Sequence, residues 1–227
     1  MTGQKAGEAS SRFTGGKGRD YFALQDRLAE QSAVLDLWKF APYVSGGETV
    51  VDFGCGTGAL LEKLSAARRI GVEVNDPARV RAQERGFTVV AATSELPDET
   101  ADVVISNHAL EHTLHPLLEL RELRRVLKPD GRLILWLPLD DWRAQRKPRV
   151  DDKDHHLYTW TPLLLGNLLM EAEYTVEHAE VVASAWRYSY TQASRKLPAS
   201  VYRALTFMTA LGLRRRQVHG VARKNSQ

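Results

Sequence analysis

The sequence predicts a single α/β domain: a doubly wound, mostly parallel sheet of seven strands with the last strand antiparallel. Three observations predict it. First, a run of β-branched and aromatic residues at 49–53, T-V-V-D-F, ends in G-C-G-T-G and opens into a helix-periodic stretch with Ala59, Leu60, Leu61 and Leu64. Strand, glycine turn and helix together make half of a βαβ unit. Second, short apolar runs alternate with helical stretches as far as residue 137, the rhythm of parallel strands joined by crossover helices. Third, the 227 residues suffice for one such domain with a full core, and no internal repeat divides them.

Residues 1–18 are rich in Gly, Ser, Thr and Lys and read as a flexible leader, leaving 19–227 as the domain. Over 20–43, Leu24, Leu28, Leu35 and Trp38 recur on one helix face, which predicts an N-terminal helical cap over the site, with Trp38 and Phe40 in the core. Pro42 and the S-G-G turn at 45–47 close it. After the first strand, 58–67 reads as a helix and 69–74, R-I-G-V-E-V, as the second strand. Pro77 starts a helix that Gly86 stops. Strands follow at 87–91 and 101–106, separated by the loop S-E-L-P at 94–97. The helix at 116–127 carries Leu117, Leu120, Leu123 and Leu127 on one side; K-P-D-G at 128–131 reads as a turn and 132–137 as the fifth strand. A polar loop at 140–154 leads to H-H-L-Y-T-W at 155–160, where Tyr158 and Trp160 offer an apolar wall. Thr161 and Pro162 suit the N-cap and first position of a helix to residue 172. The sixth strand is expected at 175–183 and the antiparallel seventh at 217–224. The intervening 184–216 is then a helical insertion whose stripe of Leu197, Val201, Leu205, Met208 and Leu211 packs on the domain, walls an acceptor pocket or meets a second copy.

With 43% hydrophobic and 26% charged residues and no long apolar run, the chain reads as a cytoplasmic globular protein. The single cysteine, Cys55, excludes an internal disulfide and suits a reducing compartment; inside the glycine turn it reads as a small packing residue. A net charge of +3 is too small for a nucleic-acid binder. The cluster of Arg214, Arg215, Arg216, Arg223 and Lys224 reads as a solvated basic face.

The glycine turn admits two cofactor readings. Gly54, Gly56 and Ala59 fit the dinucleotide pattern G-x-G-x-x-G/A. Asp52, separated from the first glycine, Gly54, by one residue, opposes a pyrophosphate and suits a ligand carrying ammonium and sulfonium charges. Glu73, at about the 20-residue spacing at which an acid meets a ribose diol, fits either.

Taken together, D-x-G-x-G-x-G from Asp52, the acid Glu73, D-V-V-I-S-N-H-A-L-E-H at 102–112 and R-V-L-K-P-D-G-R-L-I-L at 125–135 resemble the motifs of the class I S-adenosylmethionine (SAM)-dependent methyltransferases of small-molecule type, roughly over 50–137. The resemblance implies a Rossmann-like sheet and SAM as cofactor. It implies that Gly54, Cys55 and Gly56 hold the methionine part, with Asp52 orienting it. Glu73, beside Val74, would take the ribose hydroxyls, Ser94, Glu95 and Leu96 would lie by the adenine, and Asn107 and His108 by the methyl side. A small-molecule acceptor methylated at oxygen is the expected substrate. Its general base is sought among His108, His155 and His156, since imidazole titrates in the useful range; His112 reads as structural. His155 and His156 with Asp151, Asp152 and Asp154 have metal-ligand chemistry, but the run reads as a surface loop and no metal is assigned. Two rival functions stay open: a non-catalytic SAM-binding regulatory partner, and a methyltransferase acting on a lipid or protein at a membrane surface. In the main reading the partners are the acceptor alone, with no nucleic acid and no membrane contact, and a homodimer is a possible assembly.

Overall fold

The computed structural model describes residues 10–226 apart from 142, 144, 151, 153 and 186–195. The expected strands all form: β1 (Thr49–Phe53), β2 (Arg68–Val72), β3 (Thr88–Val90), β4 (Ala101–Asn107), β5 (Leu127–Leu139), β6 (Thr175–Val182) and β7 (Arg216–Arg223). They make one sheet in the order β3-β2-β1-β4-β5-β7-β6. The first five pair in parallel, and β7 runs antiparallel between β5 and β6. Helices α1 (Gly15–Asp36), α2 (Ala59–Lys63), α3 (Asp76–Glu84), α4 (Pro116–Val126), α5 (Pro162–Glu171) and α6 (Ala199–Leu213) complete the described elements.

Alternation along the central strands explains why both faces are covered. Val51 and Phe53 of β1, Val104 of β4 and Leu133, Leu135 and Leu137 of β5 enter one core with Leu120 and Leu123 of α4 and Leu165 and Leu169 of α5. Val50, Val103, Ile105, Ile134 and Trp136 point the other way, onto Phe40 and Leu64. Successive side chains of a strand leave on opposite faces, so unbroken apolar runs require helices on both sides. Caps fix where the helices start. Asn75 accepts from the Ala78 N–H to open α3, and Thr161 accepts from the Leu164 N–H to open α5, with Pro162 in the first turn.

Four expectations need correction. The leader is shorter than 1–18, because Ser11–Phe13 form a 3-10 turn, Gly15 opens α1 and Phe13 is buried; residues 1–9 lie outside the described part. The first crossover helix is a single turn, Ala59–Lys63, since Leu64 is already extended. The K-P-D-G segment is no turn between elements but a bulge within β5: Leu127 pairs with Ala101 and Arg132 with Val103. Its Asp130 N–H and Gly131 carbonyl bond to Lys224, which holds the bulge against the chain after β7. The fourth concerns α6. Its buried face is Tyr202, Thr206 and Ala210, whereas Leu197, Val201, Met208 and Leu211 of the stripe are exposed, which contradicts the reading that the stripe packs on the domain and is consistent with a surface for a second copy. A helix carrying apolar residues nearly all round has no unique buried face in its sequence, and the contact of the Tyr202 hydroxyl with the Leu35 carbonyl fixes this one.

The segment between α1 and β1 is tied to the sheet by one buried cation. Lys39 is 2% exposed and spends its ammonium on Asp36 Oδ1 (3.0 Å), Asn107 Oδ1 (3.0 Å) and Gln217 Oε1 (2.9 Å). Asn107 returns a longer bond to Asp36 Oδ2 at 3.4 Å. An ammonium has three donors, and this arrangement uses all of them. Lys39→Met is therefore expected to cost about 3–5 kcal/mol in urea unfolding, because it removes the cation that faces the buried Asp36 carboxylate. Adding Asp36→Asn to it should restore most of that loss; equal stability of single and double variants would show that the pair is not coupled.

Candidate active site

A cavity of about 400 Å³ opens at the C-terminal ends of β1, β2 and β4, the edge where ligands of open α/β sheets bind. Its floor is the glycine turn. Gly54, Gly56 and Gly58 all have positive φ, and a Cβ on Gly54 would lie 2.4 Å from that of Ala109, so the turn and the segment after β4 approach as only glycine permits. Gly54 and Cys55 donate to the Val72 carbonyl, and Gly56 donates to Glu73 Oε2 at 2.8 Å. Glu73 Oε1 accepts from the Asn75 N–H at 2.8 Å. Each carboxylate oxygen has two lone pairs, so Glu73 keeps acceptor capacity for the two hydroxyls of a ribose.

Electrostatics separate the two acids. Asp52 is 2% exposed, and burial, reinforced by the nearby Glu73, pushes its carboxyl up to about 8. Burial also raises Glu73, against the backbone donors Asn75 and Gly56. Two acids so placed favour a positively charged ligand, whose charge restores Asp52 to its anion. Burial likewise lifts the Cys55 thiol, and its Sγ occupies the space left by the missing side chain of Gly71, so Cys55 is a packing residue.

Of the residues expected to hold the cofactor, Asp52, Gly54, Cys55, Gly56, Glu73, Val74, Asn107 and His108 line this cavity. Ser94, Glu95 and Leu96 do not. Ser94 is exposed, Glu95 turns back to accept from the Ala91 and Ala92 N–H groups, and Leu96 is in the core. The wall there is Ala91, Ala92 and Thr93, and the Thr93 hydroxyl donates to Glu119 of α4, itself 2% exposed. Glu119 was legible only as a charge interrupting the leucine stripe of that helix. The roof is α1, with Phe22, Leu28, Ala29, Ser32 and Ala33, and Phe13 before it. Asn75 pins this roof by donating from Nδ2 to the Phe13 and Gly18 carbonyls, at 3.0 and 2.9 Å.

The histidines separate in the same way. His108 lines the cavity in a left-handed conformation, φ +55°, with Nε2 3.2 Å from Gln217 Oε1 and Nδ1 3.5 Å from Glu111 Oε1. His112, read from sequence as structural, also lines the cavity, and burial lowers its pKa. His155 and His156 are not on the cavity wall. His155 acts through its backbone: its N–H donates to Asp152 and its carbonyl lies 3.4 Å from His112 Nδ1. His156 stands behind His112, their rings 5.2 Å apart, with Nδ1 2.9 Å from Asp140. Burial opposes its charge, but the bonded Asp140 and the nearby Glu111 prevail and raise its pKa. Asp151 of the expected loop cluster lies outside the described residues. Tyr158 and Trp160 form no acceptor wall: Trp160 is in the core and the Tyr158 hydroxyl donates to the Leu114 carbonyl.

Comparison with known proteins agrees with this geometry. A family model described as a methyltransferase domain matches residues 23–179. The ubiquinone biosynthesis O-methyltransferase of Cereibacter sphaeroides is 32% identical over 124 residues, 48% of this chain and 49% of its own length. The ribosomal protein L11 methyltransferase of Cupriavidus metallidurans is 30% identical over 130 residues, 45% of this chain and 41% of its own. The chain thus spans less than half the length of these curated relatives. The Haloferax volcanii protein solved in complex with the Trm112 methyltransferase activator superposes with a TM-score of 0.68 over 97% of this chain and 99% of its own, at 16% identity, a likeness of fold alone.

The raised Asp52 carboxyl has a measurable consequence. Between its unfolded value of about 3.9 and its folded value of about 8, the folded chain binds the proton more tightly, so stability falls as pH rises through that window. Asp52→Asn is expected to stabilise the ligand-free protein by on the order of a few kcal/mol at pH 8 and hardly at all near pH 4. Urea unfolding at the two pH values measures it; a gain independent of pH would mean that Asp52 is already ionised in the cavity.

Proposed function

The chain belongs to the class I SAM-dependent methyltransferase family, and from that premise we propose that it transfers the methyl group of SAM to an oxygen of a small-molecule acceptor. The observation that carries the reading is the meeting of Asp52, the Gly54–Cys55–Gly56 backbone, Glu73 and His108 on one cavity. Its volume lies within the range of about 300–1,000 Å³ usual for small-molecule sites.

Bound SAM supplies a methyl carbon made electrophilic by a cationic sulfur. The chain's own residues do the rest. Asp52 answers the positive charges of the methionine part, and Glu73 accepts from the ribose hydroxyls. Ala91, Ala92 and Thr93 flank the space left for the base. The apolar side chains of α1 exclude water, which strengthens each of these interactions. Asn107 is held by Lys39 and Asp36 and so serves as a fixed post beside the methyl side. His108 lines the cavity wall together with His112, and His108 takes the acceptor's proton as the oxygen forms its bond to carbon. His156 acts from behind it through Glu111, and His155 contributes its backbone. The relatives methylate different classes of acceptor by their names, a ubiquinone precursor pathway's oxygen and a ribosomal protein, so the oxygen assignment rests on the histidine.

One observation favours a second acceptor class, a lipid or protein at a membrane surface. Val201, Met208 and Leu211 of α6 are exposed, next to the exposed Arg214, Arg215 and Arg216. No described helix is long and apolar enough to cross a membrane, so such contact would be peripheral. Co-sedimentation with anionic vesicles, lost on Met208→Glu, is the result this reading expects; equal binding to neutral and anionic vesicles, or none, removes it.

The main reading is tested by calorimetric titration. SAM and S-adenosylhomocysteine are expected to bind and NAD not to. Glu73→Gln should weaken SAM by about 1–3 kcal/mol through loss of charge-assisted bonds. A screen of hydroxylated aromatic acceptors should release S-adenosylhomocysteine. NAD binding without a response to SAM would end the proposal.

A further inference from the structure

Glu111 is fully buried, and neither of its carboxylate oxygens has a hydrogen-bond partner. Leaving a carboxylate so costs several times an ordinary hydrogen bond, which makes its surroundings informative. Three imidazoles face it. His108 Nδ1 is 3.5 Å from Oε1, and His112 Nε2 and His156 Nε2 are each 3.9 Å from the same oxygen.

The far nitrogen of each ring settles what the near one offers. His112 Nδ1 faces the His155 carbonyl and His156 Nδ1 faces the Asp140 carboxylate, both acceptors only. His108 Nε2 faces Gln217 Oε1, which already accepts from Lys39 while the Gln217 amide nitrogen donates to the Ser184 carbonyl. Each far nitrogen therefore carries the ring proton, and each near nitrogen turns a lone pair toward Glu111. Acceptors converge on one point with no donor among them. Imidazoles anchored through their second nitrogen by a carboxylate or a backbone carbonyl are the arrangement found around bound metals.

We propose that Glu111, His112 and His156, with His108 beside them, bind a divalent first-row transition-metal ion at the wall of the cavity. The ligand atoms of the first three lie within 4.8 Å of one another. Ligand atoms at about 2.0–2.1 Å from a tetrahedral ion are about 3.3 Å apart, so these three would close by about 0.6–1.5 Å around the ion. Imidazole with a single carboxylate selects zinc, manganese, iron or nickel over magnesium and calcium. His112 lines the cavity, so an ion held there would polarise an acceptor hydroxyl, whose proton would pass to His108 on the same wall. That last role rests on the methyl-transfer reading; the site itself does not.

A second cluster, His178, Glu180 and His219, supplies an internal control. There His219 is already satisfied, with Nε2 at the Tyr43 hydroxyl and Nδ1 at His178, both at 3.3 Å. Protein stripped with a chelator is titrated with Co²⁺, read by its visible absorption, and with Zn²⁺ against a chromophoric chelator. One ion per chain is expected. Glu111→Gln and His156→Ala should each weaken it by about 100-fold or more, Asp140→Asn by about 10–100-fold, and His178→Ala not at all. Circular dichroism checks that the variants fold, and the Co²⁺ spectrum of the unaltered chain reports ligand number without any variant. No binding by the unaltered chain, or binding lost with His178→Ala and kept with Glu111→Gln, overturns the proposal. SAM binding without metal binding would leave the methyltransferase reading intact, and metal binding without SAM binding would do the reverse.

Discussion

A carboxylate removed from water must find donors, a cation or a proton, and the edge of this sheet gathers five acids that each solve the problem differently. Asp36 takes the ammonium of Lys39. Glu73 takes two backbone N–H groups. Glu119 takes the Thr93 hydroxyl. Asp52 keeps its proton, with a pKa near 8. Glu111 is fully buried with neither oxygen bonded and is ringed by imidazoles. The first three solutions are internal and stiffen the site. The last two are incomplete until something positive arrives, which marks where ligands belong.

In the proposed reaction the division follows the chemistry of methyl transfer. Asp52 sits at the end of β1, where the methionine part of the cofactor would be held, and Glu111 sits after β4, on the side proposed for the acceptor. Between them the segment 107–112 passes in a strained turn, with His108 at φ +55° and its N–H bonded to the Trp136 carbonyl. Across the site His155 adopts φ +50°, which directs its carbonyl to His112. Left-handed conformations at non-glycine residues are costly unless packing over-determines them, and here both serve to aim an imidazole.

How much of this the sequence disclosed depended on the range of the interactions. The strands and the glycine turn were legible because β-branched runs and alternating glycines encode local geometry, as Val50, Val51 and Gly54 do. Asp52 and Glu73 were legible because strand ends fix their positions. The cavity wall after β3 lies a few residues before the 94–96 segment, since the choice between Thr93 and Leu96 is made by the Glu95 cap and by Glu119, far along the chain. The place of His112 on that cavity was not legible, because its neighbour His156 lies 44 positions away in sequence, beside the Leu157 N–H that binds the Glu111 carbonyl. Lys39 and Gln217 gave no signal, because a buried ion pair has no periodicity. Which face of α6 is buried was not legible for the opposite reason: a helix apolar on most sides leaves its orientation to tertiary contacts.

The pinning of the roof by Asn75 bears on the mechanics of the site. The same side chain caps α3, clasps two carbonyls of the N-terminal segment and shares its loop with the acid expected to hold the ribose. A cofactor held under α1 would therefore lie beneath a roof that is fastened to its own binding loop by one amide. Any loosening of that clasp would be felt at the main chain next to Glu73, so roof and ribose site are mechanically one piece.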